Sequence, residues 1–159
     1  MEEKKKTRIV FLCHGNICRS PMAEFVMKDL LRKAGRSDDF EISSAAVSDE
    51  ETGNGIYPPA KSMMHRRGIP FSYHEAHKIT PAEFNHNDIV IIMDESNRRL
   101  LRWITGGGED FSKVHLLMEY TGSRRSVADP WYTGDFNVAF DDIMQGCTAL
   151  CSSLGVILP

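Results

Sequence analysis

Cys13 and Arg19 enclose five residues in the stretch Cys13-His14-Gly15-Asn16-Ile17-Cys18-Arg19-Ser20-Pro21. A thiol and a guanidinium at that spacing can work on one anion. A loop that wraps between them sets the sulfur at the bottom of a cradle and the guanidinium on its rim. Arg offers a planar pair of donors to two phosphate oxygens. The same positive field favours the thiolate, which is the nucleophilic form of the sulfur. Gly15 suits a close backbone approach or a positive φ, and the Ser20 hydroxyl can donate to the sulfur and ease its departure. Nucleophile, anion clamp and leaving-group donor in one short loop describe covalent phosphoryl transfer.

Such a loop needs a strand before it and a helix after it. The apolar run Ile9-Val10-Phe11-Leu12 reads as a buried strand from Arg8 to Leu12. Ser20 can cap a helix, Pro21 suits its first turn, and Met22 to Ala34 is amphipathic, with Ala23, Met27, Leu30, Leu31 and Ala34 on one face and Gly35 as the stop. The start of that helix turns backbone N–H groups toward one point, an anion site. Phe40 to Ala45 follows as a second strand in a right-handed β-α-β unit. Asp88 to Met93 holds the strongest strand signal, Ile89-Val90-Ile91-Ile92, and Val114 to Met118 supplies a fourth strand. Helices are predicted from Pro58 to Arg67, with Met63 and Met64 as core, after the capping box Thr80-Pro81-Ala82-Glu83, from Asp94 toward Trp103, and from Phe136 to Leu154 behind Asp135. Strands alternating with helices predict an α/β three-layer sandwich, a four-stranded parallel sheet with helices on both faces.

Two further loops bear on the chemistry. The segment Glu119 to Gly134 follows the last strand and should return to the carboxyl edge of the sheet, where open α/β sheets bind ligands. That return carries Asp129 to Cys13. A departing ester oxygen needs a proton, which a carboxylic acid supplies, and the resulting carboxylate can then take a proton from water attacking a phosphocysteine. Trp131 and Tyr132 can stack on an aromatic ester, with one of the two expected to be a packing residue instead. The polar loop Ser48 to Gly55 belongs at the same edge, with Asp49 and Glu51 read as solvated. Gly106-Gly107-Gly108 lacks a preceding strand and is not a dinucleotide loop.

Cys13 to Pro21 resembles the active-site loop of the low-molecular-weight protein tyrosine phosphatases, and Asp129-Pro130 followed by two aromatics resembles that family's acid loop, although Trp131 stands where Tyr is usual. The resemblance implies the strand order 2-1-3-4 and a metal-independent, cofactor-free phosphatase acting on phosphotyrosine and aryl phosphate esters. Cys13 would be the nucleophile, Arg19 the phosphate clamp and Asp129 the acid and then the base. His14, Gly15, Asn16, Ile17, Cys18 and Ser20 would form the phosphate-binding loop. It further implies that Ser44 hydrogen-bonds the loop, that His74 orients Asn16, and that Asp94 hydrogen-bonds His74; read from its position, Asp94 instead caps a helix. Isolated His77 reads as a surface residue. Glu50 occupies a place in the cleft wall where many members carry Trp, so the wall is acidic. Rival readings are an arsenate reductase, weakened because no cysteine lies between Cys18 and Cys147; a protein-arginine phosphatase, whose relatives have Thr in place of Ile17; and a phosphoprotein-binding module without turnover.

The 159 residues and 42% hydrophobic content suit one domain, taken as residues 8 to 159 behind a solvated tail of residues 1 to 7. A formal net charge of −3 argues against a nucleic acid or membrane surface as partner, and the resemblance implies phosphotyrosine-containing proteins instead. The N-terminal Met-Glu-Glu-Lys-Lys-Lys lacks the apolar core of a signal peptide. Four cysteines could pair, but a reactive thiolate calls for a reducing compartment, so the cytoplasm is expected. Cys147 and Cys151 are placed in the core, while Cys18 is close enough in the loop to trap an oxidised Cys13 as a disulfide.

Overall fold

The computed structural model describes residues 5–108 and 110–159. In chain order the elements are β1 (Thr7–Cys13), α1 (Arg19–Lys33), β2 (Phe40–Ala46), α2 (Pro58–Arg66), α3 (Pro81–His86), β3 (Ile89–Ile92), α4 (Glu95–Thr105), β4 (Val114–Leu116), α5 (Pro130–Thr133) and α6 (Phe136–Ser153). The four strands are parallel and lie in the order β2-β1-β3-β4, as expected.

The central strands are apolar without a break because both faces of the sheet are covered. Successive side chains point to opposite faces, so β1 divides its residues between two cores. Ile9 and Phe11 join Met22, Val26 and Met27 of α1, Met63 and Met64 of α2, and Phe140, Ile143, Cys147 and Leu150 of α6. Val10 and Leu12 join Ile79, Phe84, Val90, Ile92, Leu101, Val114 and Leu116 on the other side, beneath α3 and α4. This is the three-layer sandwich. Cys147 and Cys151 are both fully buried.

Most strands and helices end within a residue or two of the sequence reading, and a few departures bear on the site. Thr7, placed in the tail, pairs with Phe40 as the first residue of β1; residues 1–4 of that tail lie outside the described residues, as does Glu109 of the glycine-rich turn. Helix α1 starts at Arg19, so Ser20 is inside it and does not cap it. β4 ends at Leu116, two residues early: its partner β3 stops at Ile92, and Leu117 and Met118 turn into a 3-10 segment and pack beneath α6. Thr80 accepts from the Glu83 amide as a cap should, but the Glu83 carboxylate bonds His77 rather than closing the box.

The sheet places β1 and β3 side by side, while α1 carries the chain from β1 outward to β2. The direction of chain progress therefore reverses between β1 and β3, the place where open α/β sheets leave a crevice at the carboxyl ends of their strands. Cys13 ends β1 at that crevice.

Candidate active site

Cys13 is the last residue of β1, paired with Ala46, and the chain turns through residues 14 to 18 before entering α1. The N-cap is Cys18, at φ −124 and ψ −85, and it makes no side-chain capping bond; the first turn carries no acidic residue. The amides of the helix start are thus left for the loop. The Cys13 sulfur lies 3.0 Å from Ser20 Oγ, accepts from the Asn16 backbone N–H at 3.2 Å and faces the Ser20 N–H at 3.4 Å. Together with the positive end of a 15-residue helix, these donors favour negative charge at the sulfur.

Asn16 holds the loop in shape. Among the described residues it is the one non-glycine with a positive φ, 60°, a region Asn tolerates better than most side chains. Its side-chain amide donates to Ser20 Oγ at 2.8 Å and to Ser44 Oγ at 3.1 Å. The Ser44 hydroxyl in turn donates to Glu24 Oε1 at 2.6 Å. Having accepted from Asn16, the Ser20 hydroxyl can turn its proton to the Cys13 sulfur. His74 Nε2 lies 2.7 Å from the Asn16 carbonyl, which can only accept, so that ring nitrogen carries a proton. The backbone N–H of His77 donates to Asn16 Oδ1 at 3.4 Å, while its imidazole turns away to Glu83. At Gly15 a Cβ would lie 3.1 Å from Glu51 Cγ. Close approach, not a positive φ, is what this glycine provides.

Arg19 is 3% exposed and is held by three acceptors: Asp94 Oδ2 at 3.0 Å, the Val127 carbonyl at 3.1 Å and Asp129 Oδ2 at 3.4 Å. Asp94 also caps α4 in a reciprocal box with Asn97 and accepts from Ser96. Burial pushes its carboxyl up, but the Ser96 hydroxyl, the Arg19 charge and the Asn97 amide outweigh burial and hold it below the usual value. The expected bond from Asp94 to His74 is not made: Asp94 turns to Arg19, and His74 bonds the loop directly.

Asp129 divides its two oxygens. Oδ1 accepts the Trp131 amide at 3.0 Å, capping α5, and Oδ2 faces Arg19. The Trp131 ring packs against Tyr57 at 5.3 Å, whereas Tyr132 is 86% exposed. Across the cleft His14 Nε2 pairs with Glu50 Oε2 at 3.1 Å. The cleft between them holds about 480 Å³ and is lined by Cys13, His14, Gly15, Ile17, Cys18, Arg19, Glu50, Glu51, Asp94, Ser96, Asp129, Trp131 and Tyr132. Glu51, read as solvated, is therefore a cleft residue. Burial, with Cys13 and Asp129 close by, pushes the Cys18 thiol up to about 12, so it stays protonated beside Cys13.

A family model for the low molecular weight phosphotyrosine protein phosphatases matches residues 8–156. The chain belongs to that family. It is 36% identical over 153 residues to the low molecular weight phosphotyrosine protein phosphatase of Homo sapiens, covering 95% of each chain. It is 32% identical over 148 residues to the low molecular weight protein-tyrosine-phosphatase YfkJ of Bacillus subtilis, covering 92% of this chain and 94% of the other. The crystal structure of YfkJ superposes with a TM-score of 0.90 over 95% of this chain and 96% of that one, and the low molecular weight protein tyrosine phosphatase of Streptococcus pyogenes, 38% identical, with a TM-score of 0.83 over 93% of each.

Within this phosphatase fold three contributors escape a reading of the sequence. Glu24 is 8% exposed and joins the hydrogen-bond chain that runs through Ser44 and Asn16 to Lys28. Its signal is the spacing from Ser20, four residues and so one face of α1. The Val127 carbonyl and the Glu51 side chain have no comparable sequence mark.

Proposed function

We propose that this phosphatase family member hydrolyses phosphotyrosine monoesters of proteins through a phosphocysteine intermediate. In the first step the Cys13 thiolate attacks phosphorus and an S–P bond forms as the P–O bond to tyrosine breaks. Asp129 gives its proton to the departing oxygen. Arg19 and the loop amides hold the other phosphoryl oxygens as charge builds on them. In the second step water attacks phosphorus, its proton goes to the Asp129 carboxylate, and sulfur leaves as a thiolate accepting from Ser20. The thiolate takes the place of an activated water and Arg19 that of a cation, so the route needs no metal. One observation carries the reading: three donors converge on the Cys13 sulfur at 3.0 to 3.4 Å, beneath a guanidinium that also faces Asp129.

Trp131 and Tyr132 on one side and the His14–Glu50 pair on the other give the cleft an aromatic wall and a polar one, which suits a phenyl ring stacked on one face only. Among the described residues no helix is long and apolar enough to cross a membrane. Phosphoproteins of the cytoplasm, where the thiol stays reduced, are the substrates we infer.

The test is turnover of p-nitrophenyl phosphate at mildly acidic pH with chelator present. Turnover should survive chelation, vanish in Cys13→Ser and fall by ~10²-fold in Asp129→Ala. Absence of turnover in a wild-type protein that still binds vanadate would put the binding-module reading first.

A further inference from the structure

The segment from Ser123 to Asp129 has no regular structure, yet it must deliver a carboxyl group to a fixed point. Its backbone is tied down at Val127, whose N–H donates to the Met93 carbonyl at 2.9 Å and whose carbonyl accepts from Arg19 at 3.1 Å. A further tie comes from outside the cleft. Asp142, on α6 and 6% exposed, accepts the Ala128 N–H at 3.1 Å through Oδ2. Both its oxygens are also gripped by Arg125, Nη1 to Oδ2 at 2.9 Å and Nη2 to Oδ1 at 2.7 Å. A bidentate guanidinium fixes orientation as well as charge. Arg125 and Ala128 bracket Ser126 and Val127 just before Asp129, so one buried carboxylate pins the loop at two points to a helix packed on α1.

The geometry points to Asp142 as the positioning residue of the general acid, with Arg125 as its clamp. The inference rests on the acid role of Asp129 proposed above. The adjacent Asp141 shows the contrast: it is exposed and pairs with Arg67 on the surface. Asp142 touches neither the nucleophile nor the cleft. Its effect must pass through where Asp129 sits, and misplacing a catalytic group by ~1 Å can cost up to ~10²-fold.

A leaving-group series separates this from mere support of the fold. Phenyl phosphate expels a poor leaving group and needs the acid; 2,4-dinitrophenyl phosphate expels one stable without a proton. Asp142→Ala should lower kcat on phenyl phosphate by ~10-fold or more and change that on the dinitrophenyl ester by less than ~3-fold, with vanadate inhibition held within ~3-fold. Asp142→Asn, which keeps an acceptor for the Ala128 amide, should fall between, and Arg125→Gln should shift the same ratio in the same direction. Asp129→Ala serves as the reference. If it slows both esters equally, the acid assignment itself falls. If it is selective while Asp142→Ala and Arg125→Gln slow both esters equally or neither, the positioning role falls. Should Asp142→Ala fail to fold, Arg125→Gln, whose side chain is 50% exposed, decides alone by its ester ratio.

Discussion

Asn16 combines two demands in one side chain. A φ of 60° suits glycine best, while three hydrogen bonds, to Ser20, Ser44 and the His77 amide, require a carboxamide at a fixed place. Substitution can separate the demands. Asn16→Gly keeps the backbone at ease and loses the side-chain bonds; Asn16→Ala loses the bonds and adds a left-handed Cβ cost of ~1–2 kcal/mol. Both should be less stable than wild type in urea, Ala below Gly by ~1 kcal/mol, and both should turn over slowly because Ser20 and the sulfur lose their alignment. Equal midpoints for the two variants would mean that the loop relaxes to a negative φ when the carboxamide is gone. Much of this loop was legible in sequence because its parts are neighbours: a thiol, a guanidinium and a hydroxyl in one turn need no tertiary information. Asp94 and Asp142 were not. Asp94 had two plausible bonds, kept the helix cap and turned to Arg19 instead of His74, and nothing in the pair Asp141-Asp142 says which one faces inward.

Elements were legible where burial was complete. β1 and β3 are apolar on both faces, and no other structure suits such runs between turns. Ends were harder, because they depend on partners. Ser20-Pro21 has the form of a cap and a first-turn proline, but the Ser20 hydroxyl is drawn to the Cys13 sulfur and the helix begins two residues earlier, at Arg19. β4 stops where β3 does: beyond Ile92, the Met93 N–H is taken by Asn97 and its carbonyl by the Val127 amide, so nothing remains to pair with Leu117. Leu117 instead drives its side chain against α6 at Gly146, where a Cβ would fall 2.4 Å from Leu117 Cγ. Ala ordinarily favours a helix over Gly by ~1 kcal/mol, yet here it collides with a fully buried side chain. Gly146→Ala should therefore destabilise by ~1–3 kcal/mol net in urea unfolding, despite its better helix propensity. A neutral or stabilising result would show that Leu117 can repack.

At the scale of the whole molecule, the titratable groups define the pH range in which the fold is most stable. Asp94 and Asp142 sit below their ordinary value of 3.8: burial raises each, and hydrogen bonds with a guanidinium beside them outweigh it. A carboxyl held below its unfolded value stabilises the fold above about pH 3.8 and withdraws that contribution as pH falls through the folded value. His77 is shifted upward from 6.5, chiefly by its bond to Glu83 against the pull of burial, so its contribution is full below that pH and fades as pH rises through the folded value. With the ring half exposed this step is small. Cys18, Cys147 and Cys151 are raised from 9.0 by burial, Cys18 to about 12 and Cys151 to about 11, so the unfolded chain ionises first and stability drops again above pH 9. The urea midpoint, measured with reductant present, should peak near pH 5 to 6, decline slightly by pH 8, and fall steeply below pH 3.8 and above pH 9. His77→Gln should remove the slight decline between pH 6 and 8 and leave both steep arms. Asp142→Asn should start from a lower midpoint and flatten the acid arm, since the group that must be protonated is no longer there. An acid arm equally steep in Asp142→Asn would assign acid unfolding to carboxyls other than the one that pins the loop before Asp129.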